Sequence, residues 1–432
     1  MLGDFYEEDY EDYIEEGLTY QSAAVTVMDA RTGFVIYENA QHELMYPASV
    51  TKIMTALLVL EYVQDLSEDV EFSEYAVLSL PSYASRMNVA AGDVMSVYEA
   101  LYGLMLPSGN DVANALAEHV SGSIAAFVNR MNSRAEELGA YNTRFINACG
   151  LPGYNQYTTA YDMALIMREA ISHPLFNRII ATEYFTVSPM DSMPYGLLMR
   201  NTNRLIRPNE DYFNPWVIGG KTGFTNAAQH TLVSYVHKGD HQLIISLLYA
   251  PSRATFTDTT ALLNHALTMP VETIFEAANY NWEIPVMQDI EGESSIIGTV
   301  RLEAPVNISI PIPEDMPRIR RELNIPESII PPVREGDVIG FKSFFAGDAL
   351  ISEMELIAVN TVLPRVVMPR TRPENLTLVP SEVPFTFSPF FAIMPILTII
   401  FMGVIIIILR WKRRMIRRRR MVRRYVDYTS YE

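Results

Sequence analysis

Residues 46–63 read YPASVTKIMTALLVLEYV. Apolar residues at three-to-four spacing over 50–63 predict a helix, which puts Ser49 at its start and Lys52 one turn on, on the same face. Working outward toward the N-terminus, AAVTVMD and FVIYEN flank Arg31-Thr32-Gly33 and predict a β-hairpin between residues 23 and 39. Toward the C-terminus, TLVSYV (231–236) and QLIISLLYA (242–250) flank Lys238-Gly239-Asp240 and predict a second hairpin. Helical periodicity runs between them over 111–120, 124–138 and 160–172. Strands at both ends of a region that encloses helices predict an α+β unit built on one antiparallel sheet.

A Ser-x-x-Lys pair at a helix start has two meanings. Ser49 can be a helix cap with Lys52 a solvated first-turn residue. Alternatively, Ser49 is a nucleophile and Lys52 its base, provided that burial or neighbouring cations lower the lysine pKa from about 10.4. The amide N–H groups of the helix start then face a developing oxyanion. Lysine usage favours the second meaning. Of the 33 cations only Lys52, Lys221, Lys238, Lys342 and Lys412 are lysines, and arginine, always protonated, cannot act as a base.

Two further short motifs follow. Pro107-Ser108-Gly109-Asn110-Asp111 sits where one helical run ends and another begins, as a Ser/Asn turn or cap would. In a catalytic site, the Ser108 hydroxyl can relay protons between Lys52 and a leaving amine while the Asn110 amide positions a peptide group. Gly219-Gly220-Lys221-Thr222-Gly223 opens the second hairpin. It is either a glycine-loosened strand start or a strand edge where glycine admits a peptide, with Lys221 and Thr222 binding its carboxylate.

The formal net charge of -18 is an average over two opposed ends. Residues 410–432 hold ten cations and two carboxylates, a net +8, which leaves 1–409 at -26. Between them, residues 390–409 are uncharged, long enough for a helix of about 30 Å that spans a bilayer, and Pro395 is a kink point. The basic cluster beside this run places the C-terminus in the cytoplasm and the rest outside, in a cell membrane crossed once. Its partner is then anionic headgroups, not nucleic acid. Export requires a signal, yet residues 1–16 carry eight carboxylates and no apolar stretch, so the start is expected to lie upstream or the signal to have been removed. The single cysteine, Cys149, excludes an intramolecular disulfide and is expected to be a packed small residue. No metal or cofactor is expected.

The order Ser-x-x-Lys, Ser-x-Asn, Lys-Thr-Gly is that of penicillin-binding proteins and serine β-lactamases. With AAVTVMDARTGFVIYENA, YPASVTKIMTALL, LPSGNDVANALAE, MNSRAEELGAYNTRFINACGL, TTAYDMALIMREAI and NTNRLI before GGKTGFT, the chain resembles the D-alanyl-D-alanine carboxypeptidases, the low-molecular-weight penicillin-binding proteins, over about residues 22–263. The resemblance implies a transpeptidase/β-lactamase-like catalytic domain over 21–281 and a small all-β domain over 282–364. An acidic disordered segment (1–20) precedes them, and a Pro-rich stalk (365–389), the membrane helix (390–409) and a basic tail (410–432) follow. It implies removal of the terminal D-Ala from peptidoglycan stem peptides through an acyl-enzyme, with β-lactams as inhibitors. Ser49 is then the nucleophile and Lys52 its base. Ser108 and Asn110 complete the proton network, and Lys221, Thr222 and Gly223 line the carboxylate site. The backbone N–H groups of Ser49 and Phe224 form the oxyanion hole. No Glu-x-x-Leu-Asn element of class A β-lactamases occurs. Two departures stand out. After Lys-Thr-Gly-x-Thr the family usually continues x-x-Ala-Gly, whereas here Ala228 is followed by Gln229 and His230, and Thr255 precedes Phe256 where relatives often place an arginine, Arg253 lying two residues earlier. They motivate an alternative: a catalytically impaired homologue that binds wall peptides.

Overall fold

The computed structural model describes residues 13–15, 18–277, 282–290, 292–314 and 316–366. The expected stalk beyond residue 366, the apolar run at 390–409 and the basic tail lie outside them. Among the described residues no helix is long and apolar enough to cross a membrane.

The two predicted hairpins form and join. Strands Val35–Asn39, Ala24–Asp29, His241–Ala250, Gln229–Lys238 and Val217–Thr225 lie side by side in that order, each antiparallel to its neighbours. The inner strands are buried on both faces, and period-two alternation divides their side chains. Ala24, Met28, Ile244 and Leu248 face the main helical core, while Val25, Val27, Leu243, Ile245 and Leu247 face a second core closed by Leu262 and Leu263 of helix Ala254–Ala266. This two-sided burial is why QLIISLLYA reads as a continuous apolar run. The Val217–Thr225 strand, which carries Lys-Thr-Gly, is an edge and pairs only with Gln229–Lys238 among the described residues.

Helix Lys52–Tyr62 occupies the middle of the main core, and every residue from Lys52 to Val59 is buried. A helix apolar on all sides needs burial on all sides. It is entered through a short 3-10 turn, Ala48–Thr51, with no side-chain cap, so Ser49 does not serve as one. Helix Asn110–Ser121 stops at Gly122, whose φ of 73° is the left-handed C-terminal conformation that glycine favours.

The β-rich region contains five antiparallel strands in the order Trp282–Ile290, Glu293–Glu303, Ala349–Ala358, Val338–Ala346 and Ile319–Asn324. They share an apolar cluster that includes Ile284, Val300, Phe344 and Leu356. Strand Val271–Phe275 was expected within the catalytic segment. It instead pairs with Ile308–Pro311, and its Ile274 and Phe275 pack into the β-rich cluster. A second difference concerns the acidic N-terminus. Residues Tyr13–Glu15 pair with Leu18–Tyr20, and Leu18 and Tyr20 are buried beside Val25 and Ile36, with the Tyr20 ring edge-on to Tyr37. A disordered tail therefore does not extend to residue 20. The high carboxylate density masked two apolar residues at strand spacing that have a core face to cover.

Candidate active site

The 3-10 turn leaves Ser49 partly exposed at the end of the buried helix and places Lys52 beneath it. The Lys52 ammonium donates to Ser49 Oγ (3.0 Å), to Asn110 Oδ1 (2.6 Å) and to the Cys149 carbonyl (2.8 Å). These three acceptors match its three donors. Burial pulls the Lys52 pKa down to about 8, an effect that Cys149 and Asp111 partly oppose.

Asn110 opens its own helix, and its backbone N–H donates to the Ser85 carbonyl (2.9 Å). The neighbouring Asp111 carboxylate receives the N–H groups of Met87 and Asn88, both at 3.1 Å, and so holds the 85–88 segment against this loop. Ser108 is buried with φ 64°, and its Oγ has no hydrogen-bond partner among the described residues. Ala48, immediately before Ser49, also has a positive φ, 49°. Left-handed backbone at a non-glycine residue costs of order 1–3 kcal/mol and recurs at functional sites. Here it flanks one serine and sets the other.

The edge strand closes the opposite side. A Cβ on Gly223 would lie 2.8 Å from the Ser49 backbone nitrogen and 2.4 Å from Thr231 Oγ1, so only glycine lets the strand sit against the nucleophile's own amide. Thr231 Oγ1 donates to the Pro47 carbonyl (3.1 Å) and ties the sheet to the Ser49 turn. Lys221 is buried, and its ammonium donates to the Thr222 carbonyl (2.8 Å); no carboxylate pairs with it among the described residues. Burial and the Lys52 charge push its pKa well below the ordinary lysine value. A buried cation without an anion is a ready site for a carboxylate. Phe224 is 52% exposed, with its ring 4.6 Å from that of His230.

The fold thus brings Ser49, Lys52 and Asn110 together from two helix starts, with the buried Ser108 two residues before Asn110, and sets Gly223 of the Lys-Thr-Gly strand against the Ser49 turn. The departures take particular forms. Gln229 adopts φ 50°, and its amide donates to the Asn226 carbonyl (2.9 Å). Arg253 is exposed with φ 69° ahead of the Ala254–Ala266 helix, and Thr255 is buried. Sequence reasoning missed the Cys149 carbonyl and Gly150. A Cβ on Gly150 would fall 1.8 Å from the Ala48 carbonyl oxygen, so this glycine seats the loop against the Ser49 turn. A main-chain acceptor has no side-chain signature; the glycine that follows Cys149 was the one available sign, and the structure shows it at a φ of 89°. Cys149 itself is buried as expected, and burial raises its thiol pKa.

Comparison with known proteins agrees with this geometry. A family profile described as D-alanyl-D-alanine carboxypeptidase matches residues 12–252. The D-alanyl-D-alanine carboxypeptidase DacF of Bacillus subtilis (strain 168) is 31% identical over 328 residues, covering 75% of this chain and 81% of that one. Penicillin binding protein 5 from Haemophilus influenzae superposes with a TM-score of 0.63 at 25% identity, over 80% of this chain and 98% of that one. The Streptomyces K15 DD-transpeptidase superposes with a TM-score of 0.52 at 28% identity, over 57% of this chain and 97% of that one. A profile that spans more than half of the chain, and a relative matched over most of its own length, place this protein in the D-alanyl-D-alanine carboxypeptidase family of serine-type peptidases.

Proposed function

We propose that this protein is a membrane-anchored D-Ala-D-Ala carboxypeptidase that trims peptidoglycan stem peptides through an acyl-enzyme on Ser49 and is inhibited by β-lactams. The observation that carries the proposal is the Lys52 amine, 3.0 Å from Ser49 Oγ, buried, with its pKa near 8. A neutral amine at that distance takes the Ser49 proton as Oγ attacks the carbonyl carbon of the penultimate D-Ala. The N–H groups of Ser49 and Phe224 receive the oxyanion. Collapse breaks the peptide bond, and the Ser108 hydroxyl, which has no partner among the described residues, relays the proton taken up by Lys52 to the departing D-Ala nitrogen and leaves Lys52 neutral again. Water then cleaves the ester, releasing the shortened peptide and returning the proton to Ser49. Asn110, held by Lys52, positions the peptide group, and Lys221 with Thr222 binds the terminal carboxylate. The uncharged run at 390–409 and the basic tail hold this site outside the membrane.

A fluorescent penicillin tests both parts. The full chain in membranes should be labelled at Ser49, Ser49→Ala should be unlabelled, and removal of residues 389–432 should move a labelled protein to the soluble fraction. An unlabelled, folded wild-type chain refutes the acyl-enzyme and leaves the wall-peptide-binding alternative. The structural likeness to a DD-transpeptidase favours one second reading, transfer of the acyl group to an amine. Product analysis of a pentapeptide with and without an added amine separates it from hydrolysis.

A further inference from the structure

The segment Asn201-Thr202-Asn203 touches both sides of the cleft. Its two asparagines are buried and tie the segment to its surroundings. Asn201 donates to the carbonyls of Ile180 (3.2 Å) and Thr182 (3.1 Å) and accepts from the Asn203 N–H (2.9 Å), while Asn203 caps the following turn by accepting from Leu205 N–H (3.1 Å). Thr202 is held between them. Its backbone N–H donates to the carbonyl of Leu106, two residues before Ser108 (3.1 Å), and its hydroxyl oxygen lies 2.6 Å from that of Thr222. Such anchoring leaves the Thr202 hydroxyl little choice of position.

Two hydroxyls at this separation share one proton along the line between them, and the other proton is free. If Thr222 donates to Thr202, it has no proton for a ligand. If Thr202 donates, the Thr222 O–H is released into the cleft, and the hydrogen bond it receives polarises it as a better donor. An anion beside the buried Lys221 selects the second arrangement, because a hydroxyl dipole next to a negative charge turns its hydrogen toward it. We infer that Thr202 is a positioning residue for carboxylate recognition: it donates to Thr222 Oγ1 and thereby aims the Thr222 O–H at the terminal carboxylate of the substrate. This rests on the carboxypeptidase function proposed above, and on a contact between two segments that the short motifs do not include.

The test compares acylation rate constants for a fluorescent penicillin and for its methyl ester, in which the carboxylate charge is removed. Thr202→Val keeps the volume and removes the hydroxyl. It is expected to slow acylation by the free acid by about five- to tenfold, the scale of one hydrogen bond to a charged ligand site. Acylation by the ester should change by less than about twofold, and Thr202→Ser should restore the acid rate to within about twofold. In a Thr222→Val background, Thr202→Val should add no further loss, since its target hydroxyl is gone. An equal loss with acid and ester shows a merely structural role and overturns the inference, as does an unchanged acid rate. A wild-type chain that neither compound labels overturns instead the proposed carboxypeptidase function.

Discussion

The pH dependence of acylation tests the base directly. Lys52 must be neutral to accept the Ser49 proton, and burial brings its pKa from an ordinary lysine value of 10.5 to about 8. The neutral fraction then rises from about one tenth at pH 7 to about nine tenths at pH 9, so the acylation rate constant should rise about tenfold and level off. An ordinary solvated lysine gives a different curve: about a hundredfold rise over the same interval with no bend below pH 10. Lys221 acts in the opposite sense, because burial and the Lys52 charge favour loss of its proton, and that loss weakens carboxylate binding. The assay is the second-order rate constant for labelling by a fluorescent penicillin between pH 6 and 9.5, with Ser49→Ala as the blank. A flat profile from pH 6 to 9, or a log-linear rise that continues past pH 9, would refute Lys52 as a base tuned by burial.

Two other outcomes follow from burial and close contact. Lys221→Met should slow acylation by at least about a hundredfold, yet raise the melting temperature by roughly 2 to 5 °C at pH 7, because a methionine fills the site without the cost of burying a charge. In unfolded chains Lys221 keeps its proton up to about pH 10.4, whereas the folded protein releases it earlier. Wild-type stability therefore rises with pH across that window, and the advantage of the variant in thermal melts should shrink as pH approaches 10. Gly150→Ala places a Cβ 1.8 Å from the Ala48 carbonyl oxygen at a φ of 89° and should lower stability by more than about 2 kcal/mol and abolish labelling. Gly122→Ala, at a φ of 73° but with nothing within 4 Å, should cost only about 1 kcal/mol and leave labelling intact. Similar losses in both variants, read by thermal melts and labelling, would show that backbone strain and not contact with the Ser49 turn is responsible.

Local chemistry was legible from the residues alone. Three-residue spacing puts Ser49 and Lys52 on one face of any helix that starts there, and the apolar run behind them requires a buried helix. The apolar runs on either side of turn residues predict two hairpins, and the structure then divides their side chains between the two faces of the sheet. What the sequence left open was whether Lys52 would be a surface charge or a base, since that depends on what covers it. The three-dimensional fold decided it by bringing Asn110 and the carbonyl of Cys149 onto the amine and by burying Lys52 completely. Likewise the Lys-Thr-Gly stretch reads as a loose strand start until the sheet order shows it as an edge with Gly223 against the Ser49 amide. The N-terminal strand pair was missed for a related reason: composition reports average polarity, whereas Leu18 and Tyr20 are held by a core face elsewhere in the chain. Periodicity records how neighbours along the chain are oriented. Burial, pKa and hydrogen-bond partners such as that between Thr202 and Thr222 arise between residues that are close only after folding, and only the tertiary structure could determine them.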